Sequence, residues 1–147
     1  MAVPGGGGGG RSGAAHLCLT VGDAPGDSPG EFAAVLDALR DFGARAIVFR
    51  TTGKITEATG TLLDRACAEG HELANHCPRG RPYHGDSEAA FEAALLETQA
   101  AIGPYASAQR AAGEAHCLST TAKRFKWLRA PSGRMGTAMR RVLAKHG

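Results

Sequence analysis

Three short apolar segments, each followed by a stretch with helical periodicity, constrain the fold of this 147-residue chain more than any other feature. The apolar segments are residues 16–21, 44–50 and 73–75. Alternation of strands and helices predicts parallel strands joined by right-handed crossovers. The length suits one domain with a sizeable core and is too short for two ordinary domains.

The helix predicted after the first strand has the clearest boundary signals. Ser28 is placed as its N-cap, Pro29 as its first residue and Glu31 as the second member of a capping box. A second helix is predicted over residues 57–68, and it ends before Gly70. The sequence therefore predicts two complete strand–helix units before the third apolar segment.

A third helix is predicted from residue 86 or 87 to the Gly-Pro pair at 103–104, because proline disrupts a continuing helix. Residues 105–121 show neither helical nor strand periodicity and are interpreted as an irregular loop.

A fourth strand over residues 125–129 and a helix over residues 134–145 follow. About four parallel βα units result, too few to close a barrel. They form either an open sheet or the N-terminal part of a longer domain, and we favour the second.

The termini differ from the body of the chain. Residues 1–15 include six consecutive glycines and are predicted to be a flexible tail, which leaves residues 16–147 as the domain. From residue 115 onward there are eight basic residues and no acidic ones. A solvated helix face explains them best, and a polyanion-binding surface is the alternative. No stretch reads as a secretory signal or a membrane span, so the location is left open.

Polar residues cluster where the predicted strands end. The stretches are residues 20–25 (TVGDAP), 70–77 (GHELANHC) and 129–133 (RAPSG). In α/β proteins the carboxyl ends of parallel strands present side chains to ligands. We therefore expect Asp23 and His76 to converge at this edge of the sheet.

The three stretches resemble, in order and spacing, the first three motifs of the polysaccharide deacetylase family (the NodB-homology domain, carbohydrate esterase family 4). The family motifs are TFDDGP, HTxxH after a GHEIGN-like run, and RxPYG, and the resemblance covers roughly residues 16–147. It implies an incomplete (β/α) barrel of the polysaccharide deacetylase type. It also implies a zinc or other divalent ion, and removal of acetyl groups from N-acetylglucosamine polymers such as chitin.

By resemblance, Asp23 corresponds to the metal-binding aspartate and His76 to the first metal-binding histidine. Arg129 corresponds to the arginine that orients the general base. Gly22, however, occupies the position of the base aspartate, and Gly80 occupies the position of the second metal-binding histidine. Cys77 and His84 remain open as substitute ligands, because both follow His76 in the same predicted loop.

These departures predict an impaired enzyme. The metal would polarise the amide carbonyl and activate water, while a general base and a general acid each contribute typically about 10²–10⁴-fold. Gly22 removes the base, Ser132 replaces the aromatic residue of the third motif, and the motif with the catalytic acid is not found in the chain.

Three functions therefore compete: an impaired deacetylase of linear amides, a non-catalytic carbohydrate-binding descendant, and a basic-tailed interaction protein. The expected partner is an N-acetylated polysaccharide or oligosaccharide, with neither membrane nor nucleic acid expected.

Overall fold

The computed structural model describes residues 17–111 and 127–146 of the chain. The predicted tail (residues 1–15) and the part of the predicted loop (residues 105–121) beyond residue 111 lie outside the described residues, whereas residues 105–111 are helical and not the predicted loop. Three strands and four helices are present in the described part. In chain order they are β1 (Leu19–Ala24), α1 (Pro29–Asp41), β2 (Ala46–Arg50), α2 (Glu57–Ala68), β3 (Glu72–Asn75), α3 (Glu88–Ala111) and α4 (Thr137–His146), with 3₁₀ turns at Thr52–Lys54 and Pro131–Gly133.

The strands form one parallel sheet in the order β1-β2-β3. The predicted α/β class with parallel strands is therefore confirmed. The fourth predicted strand is reduced, within the described residues, to a single parallel bridge between Asn75 and Leu128. This bridge still brings the segment after Leu128 to the same end of the sheet as β3.

Strand β1 ends later than the sequence predicts, and this places Asp23 inside the strand. Ala24 pairs with Arg50 of β2, after an irregularity in the register that follows Val21. Thr51 also donates a backbone hydrogen bond to the Ala24 carbonyl at 3.0 Å. Because β2 continues this pairing, the strand extends past the polar residues that were expected to start a loop.

The structure has a capping box at α2 and not at α1, where the sequence predicts one. Helix α1 begins at Pro29 as predicted, but Ser28 makes no side-chain capping hydrogen bond, so the predicted capping box is wrong. Helix α2 instead has a capping box between Thr56 and Thr59. The Thr56 backbone donates to Thr59 Oγ1 at 2.7 Å and the Thr59 backbone donates to Thr56 Oγ1 at 3.3 Å. A threonine thus takes the role that the usual pattern gives to Glu or Gln.

Helix α3 does not stop at the Gly-Pro pair, so the predicted end is wrong. It continues through Pro104 to Ala111. An internal proline removes one donor and disturbs the carbonyls of the preceding turn. Arg50, only 2% exposed, donates from Nη1 to the Ala101 carbonyl at 2.8 Å, and its guanidinium lies 5.0 Å from the Tyr105 ring. A side chain from β2 therefore stabilises the turn that proline weakens.

The core has two main parts on either side of α3. The first lies between the sheet and α1–α3, and its largest members are Phe32, Leu36, Val48, Leu63, Leu73 and Ile102. The second joins α3, α4 and the loop after β3, and includes Cys77, Tyr83, Phe91, Leu95, Met139 and Val142. Burial of such apolar side chains stabilises the fold by about 1.5–3 kcal/mol each.

Helix α4 pairs its basic residues with acidic residues of α3. Arg141 lies 3.1 Å from Glu88, and Lys145 lies 2.8 Å from Glu92. These pairs support a solvated helix face over a free polyanion-binding surface. None of the helices in the described ranges is both long enough and apolar enough to cross a membrane.

Candidate active site at the carboxyl ends of the strands

The carboxyl ends of neighbouring strands bring Asp23, His76 and Arg129 together. Asp23 is the penultimate residue of β1, His76 follows β3, and Arg129 follows the bridge at Leu128. His76 Nε2 lies 3.4 Å from Asp23 Oδ1, and His76 Nδ1 lies 2.8 Å from the Arg129 carbonyl oxygen. The three residues thus share one edge of the sheet.

The hydrogen bond to Arg129 fixes the role of each nitrogen of the His76 ring. A carbonyl oxygen can only accept, so Nδ1 carries the proton and donates to it. In the neutral ring Nε2 is then an acceptor that faces the carboxylate of Asp23. A proton or a cation between these two acceptors would interact favourably with both. Histidines that bind metals are commonly oriented in this way by a carbonyl on the second nitrogen.

Asp23 reaches His76 from a left-handed backbone. Its φ is 54° and its side chain is 64% exposed, whereas the His76 side chain is only 6% exposed. Aspartate is one of the few residues that tolerates this region of backbone space. The carboxylate is therefore presented to solvent on one side and to a buried imidazole on the other.

Arg129 makes three contacts besides its hydrogen bond with His76. Its backbone N–H donates to the Asn75 carbonyl at 3.0 Å, and Nη2 donates to Thr20 Oγ1 at 2.8 Å. The guanidinium carbon lies 4.2 Å from the centre of the Phe49 ring. Phe49 also has an edge contact with the His76 ring, with centroids 6.3 Å apart. One aromatic side chain therefore supports both residues.

Two glycines leave space beside this group. A Cβ atom built on Gly22 would lie 3.4 Å from Arg129 Nη1, and one built on Gly80 would lie 4.0 Å from Asp23 Oδ1. Neither glycine has a positive φ, so the backbone would accept a side chain at both positions. A side chain at Gly22 would therefore meet Arg129, and one at Gly80 would approach Asp23.

Neither proposed substitute ligand completes a metal site. Cys77 is fully buried in the apolar cluster with Tyr83 and Phe91, and burial raises the pKa of its thiol to about 12. His84 is exposed. Across residues 17–111 and 127–146, no three His, Cys, Asp or Glu side chains are grouped to hold a metal ion.

The donor set therefore fits a divalent ion only in part. Two zinc ligands at tetrahedral geometry are separated by about 3.3 Å, which the Asp23–His76 distance of 3.4 Å matches. A catalytic zinc site, however, has three protein ligands.

Asn75 is a supporting residue that sequence reasoning missed. It is 2% exposed, its Nδ2 donates to the Leu95 carbonyl at 3.0 Å, and its Oδ1 accepts from the Cys77 backbone at 2.9 Å. It thus joins β3, α3 and the loop that follows His76. A buried polar residue at the last position of an apolar strand, directly before a candidate ligand, was the available signal.

Comparisons with known proteins identify the family of the chain. A sequence model of the family described as polysaccharide deacetylase matches residues 9–147. A search of curated protein sequences finds no match to the chain. The family match thus covers nearly the whole chain and includes all three converging residues.

Several solved structures have the same fold. A family 4 acetyl xylan esterase from Clostridium thermocellum, in complex with cobalt, is 22% identical, with a TM-score of 0.67 over 85% of this chain and 53% of its own. A family 4 carbohydrate esterase from Streptomyces lividans, in complex with acetate, is 26% identical, with a TM-score of 0.68 over 90% of this chain and 59% of its own.

A family 4 pseudoenzyme from Bacillus anthracis is also similar. It is 16% identical, with a TM-score of 0.65 over 87% of this chain and 39% of its own chain. A mutant of that pseudoenzyme has restored enzymatic activity. The present chain spans between half and three fifths of the length of the two esterases.

Proposed function

Since the chain belongs to the polysaccharide deacetylase family, we propose that the edge of the sheet around His76 is an N-deacetylase site of reduced activity. Its substrate class is an N-acetylated polysaccharide or oligosaccharide, and its reaction is hydrolysis of a linear amide. Residues 16–147 form one incomplete domain in this proposal.

Asp23 and His76 are the residues that would hold a divalent metal, zinc being one candidate. Such an ion supplies polarisation of the acetyl carbonyl and activation of water. The Arg129 carbonyl keeps the His76 ring in the orientation that directs Nε2 toward Asp23. Arg129 itself would orient the general base if that base were present.

The observation that carries the proposal is the vacancy at Gly22. A Cβ there would lie 3.4 Å from Arg129 Nη1, so an aspartate at this position would pair with the guanidinium. With glycine, the site has an orienting arginine and no base to orient. Loss of a base alone lowers a rate by typically about 10²–10⁴-fold.

The test compares the wild-type chain with a variant that carries Gly22→Asp and Gly80→His. Zinc binding is measured by calorimetry, and acetate release is measured with N-acetylchitopentaose. We expect weak zinc binding and slow release for the wild type, and a gain of at least about 100-fold in rate for the variant. Gly60→Asp is a control, because a side chain at Gly60 has no described neighbour within 4 Å. Stoichiometric zinc binding with rapid acetate release by the wild type would contradict the proposal.

A non-catalytic glycan-binding protein is the second candidate. The vacancies at Gly22 and Gly80, beside an otherwise assembled site, favour it. Retention of the wild-type chain on a chitin resin, without acetate release by either protein, would support this function. The third candidate, an interaction protein that uses a basic tail, is disfavoured by the pairing of Arg141 and Lys145 with α3.

A further inference from the structure

Arg129 carries a positive charge without a carboxylate partner in the described part of the chain. Its contacts are with a hydroxyl, an aromatic face and backbone groups. Other arginines here do pair with acids: Arg65 contacts Asp37, and Arg81 contacts Asp86. The guanidinium at the site is therefore fixed in place but not neutralised.

The open side of this guanidinium faces Gly22. The built Cβ of Gly22 lies 3.4 Å from Nη1, and apart from Gly22 and its chain neighbours Val21 and Asp23 no other described residue has an atom within 4 Å of it. Nη2 already donates to Thr20, while the ring of Phe49 covers one face of the group. Nη1 is therefore the donor that remains available toward the space where a side chain is missing.

We propose that this space, the Gly22 slot, binds a carboxylate group that belongs to the ligand, and that the ligand is an acidic sugar. Carboxylates form the strongest hydrogen bonds with arginine, because both groups are charged and planar. The ligand would supply the negative charge that the family's aspartate supplies from within the chain. The assignment to a sugar rests on the proposed function, whereas carboxylate binding at Arg129 does not.

The carboxylate of Asp23 weakens the binding of a ligand carboxylate at the Gly22 slot. Its carboxylate lies at the same edge, 3.4 Å from His76 Nε2, and repels a second anion. Neutralising Asp23 should therefore tighten binding, which distinguishes the slot from a metal site that requires this aspartate. A cation and a ligand carboxylate thus depend on Asp23 in opposite directions.

The experiment is an NMR titration of the full chain, following the Nε–Hε resonance of Arg129 at constant ionic strength. The probes are sodium acetate, sodium D-glucuronate and neutral N-acetylglucosamine, with sodium chloride as the reference salt. We expect saturable shifts with acetate and glucuronate and none with N-acetylglucosamine or chloride. Glucuronate should bind at least as tightly as acetate.

Variants decide where the carboxylate binds. Gly22→Asp should weaken acetate and glucuronate binding by about tenfold or more, because it supplies an internal carboxylate. Gly60→Asp adds the same charge elsewhere and should leave binding unchanged. Asp23→Asn should tighten binding by a few-fold, which keeps the proposal testable if Gly22→Asp does not fold. Arg129→Gln should abolish binding, which is followed in this variant by the backbone amide resonance of Gly22 because the arginine resonance is lost.

Three results would overturn the inference. Equal binding by wild type and Gly22→Asp would place the carboxylate elsewhere, and shifts with chloride of the same size would indicate screening alone. Binding of acetate without glucuronate would overturn the assignment to an acidic sugar. A failure of zinc binding or deacetylation leaves the acetate titration unaffected, so the two proposals fail separately.

Discussion

The two sides of the sheet's carboxyl edge differ in how many of their polar groups have hydrogen-bond partners within the protein. On the buried side, beneath the edge, both the amide nitrogen and the oxygen of Asn75 make hydrogen bonds, and the neighbouring apolar side chains are packed into the core. Above the edge, the Asp23 side chain is exposed, and Cβ atoms built on Gly22 and Gly80 would lie 3.4 Å from Arg129 Nη1 and 4.0 Å from Asp23 Oδ1. The supporting side of the edge is therefore buried and hydrogen-bonded, whereas the side where Asp23 and Arg129 lie retains open space.

The largest effect is expected below the edge, from Asn75→Ala. This change leaves the Leu95 carbonyl and the Cys77 N–H without their partner in a buried region. The free energy of unfolding should fall by about 2–4 kcal/mol. Urea denaturation followed by circular dichroism measures it, with Ser87→Ala at an exposed position as a milder comparison. A loss under about 0.5 kcal/mol would show that the two sides do not differ as described.

A pair of glycine substitutions sharpens the contrast between close packing and open space. Gly53 approaches the Pro78 carbonyl so closely that a Cβ would lie 2.6 Å from the oxygen, whereas a Cβ on Gly80 would lie 4.0 Å from its nearest described neighbour. Gly53→Ala should cost about 1–3 kcal/mol of stability through overpacking. Gly80→Ala should instead raise stability by about 0.4–1 kcal/mol, because it restricts the unfolded chain. Equal thermal shifts for the two variants would contradict this.

A pH effect should come from His71, which lies in the scaffold. Its Nδ1 accepts the Ala46 N–H at 3.2 Å, which requires that nitrogen to be unprotonated. Burial lowers the pKa of this imidazole, and Glu69, Arg45 and Arg65 are its charged neighbours. The folded state thus resists protonation.

Stability due to His71 should accordingly be present above the ordinary pKa of 6.5 and decline as the pH falls below it. Denaturation midpoints between pH 8 and pH 5 measure the slope, which His71→Gln should reduce. The exposed His84→Gln variant is the matched control and should keep the wild-type slope. An unchanged slope in His71→Gln would exclude this role.

The smallest effect is expected on the exposed surface between α3 and α4. Hydrogen bonds from Lys145 and His146 lower the pKa of the Glu92 carboxyl. A lowered carboxylate pKa contributes stability that is present near neutral pH and lost as the pH falls. Glu92→Gln should shift the melting temperature only slightly, and less so in high salt. A large shift that persists in high salt would indicate a packing role.

Local sequence signals predicted the structural features that are determined by residues close together in the chain. Hydrophobic periodicity and the positions of proline and glycine predicted the alternation of strands and helices, the start of α1 at Pro29 and the span of α2. The continuation of α3 past Pro104 could not be predicted, because the contacts that support this turn are distant in sequence: Arg50, which donates to the Ala101 carbonyl, lies 51 positions away. Tertiary contacts outweighed a strong local stop signal.

The candidate site shows the same division. The three motif stretches predicted which residues lie at the strand ends, and Gly22 and Gly80 were visible as departures from the motifs. The contacts of Arg129 with Thr20 and Phe49 were not predictable, because they require the register between β1 and β2. Likewise, only the packing of the loop after β3 shows that the Cys77 thiol is buried.

The backbone at the end of β1 has one further consequence. Asp23 has a φ of 54°, a conformation that glycine adopts freely, while the glycine beside it at position 22 has no such requirement. Holding a non-glycine residue there costs on the order of 1 kcal/mol. An Asp23→Gly protein would therefore relax the backbone at the end of β1, but it would lose the one acidic group that, among the described residues, pairs with His76. At position 23, glycine would give the less strained backbone, whereas aspartate gives the contact with the imidazole. The chain has the residue that makes the contact.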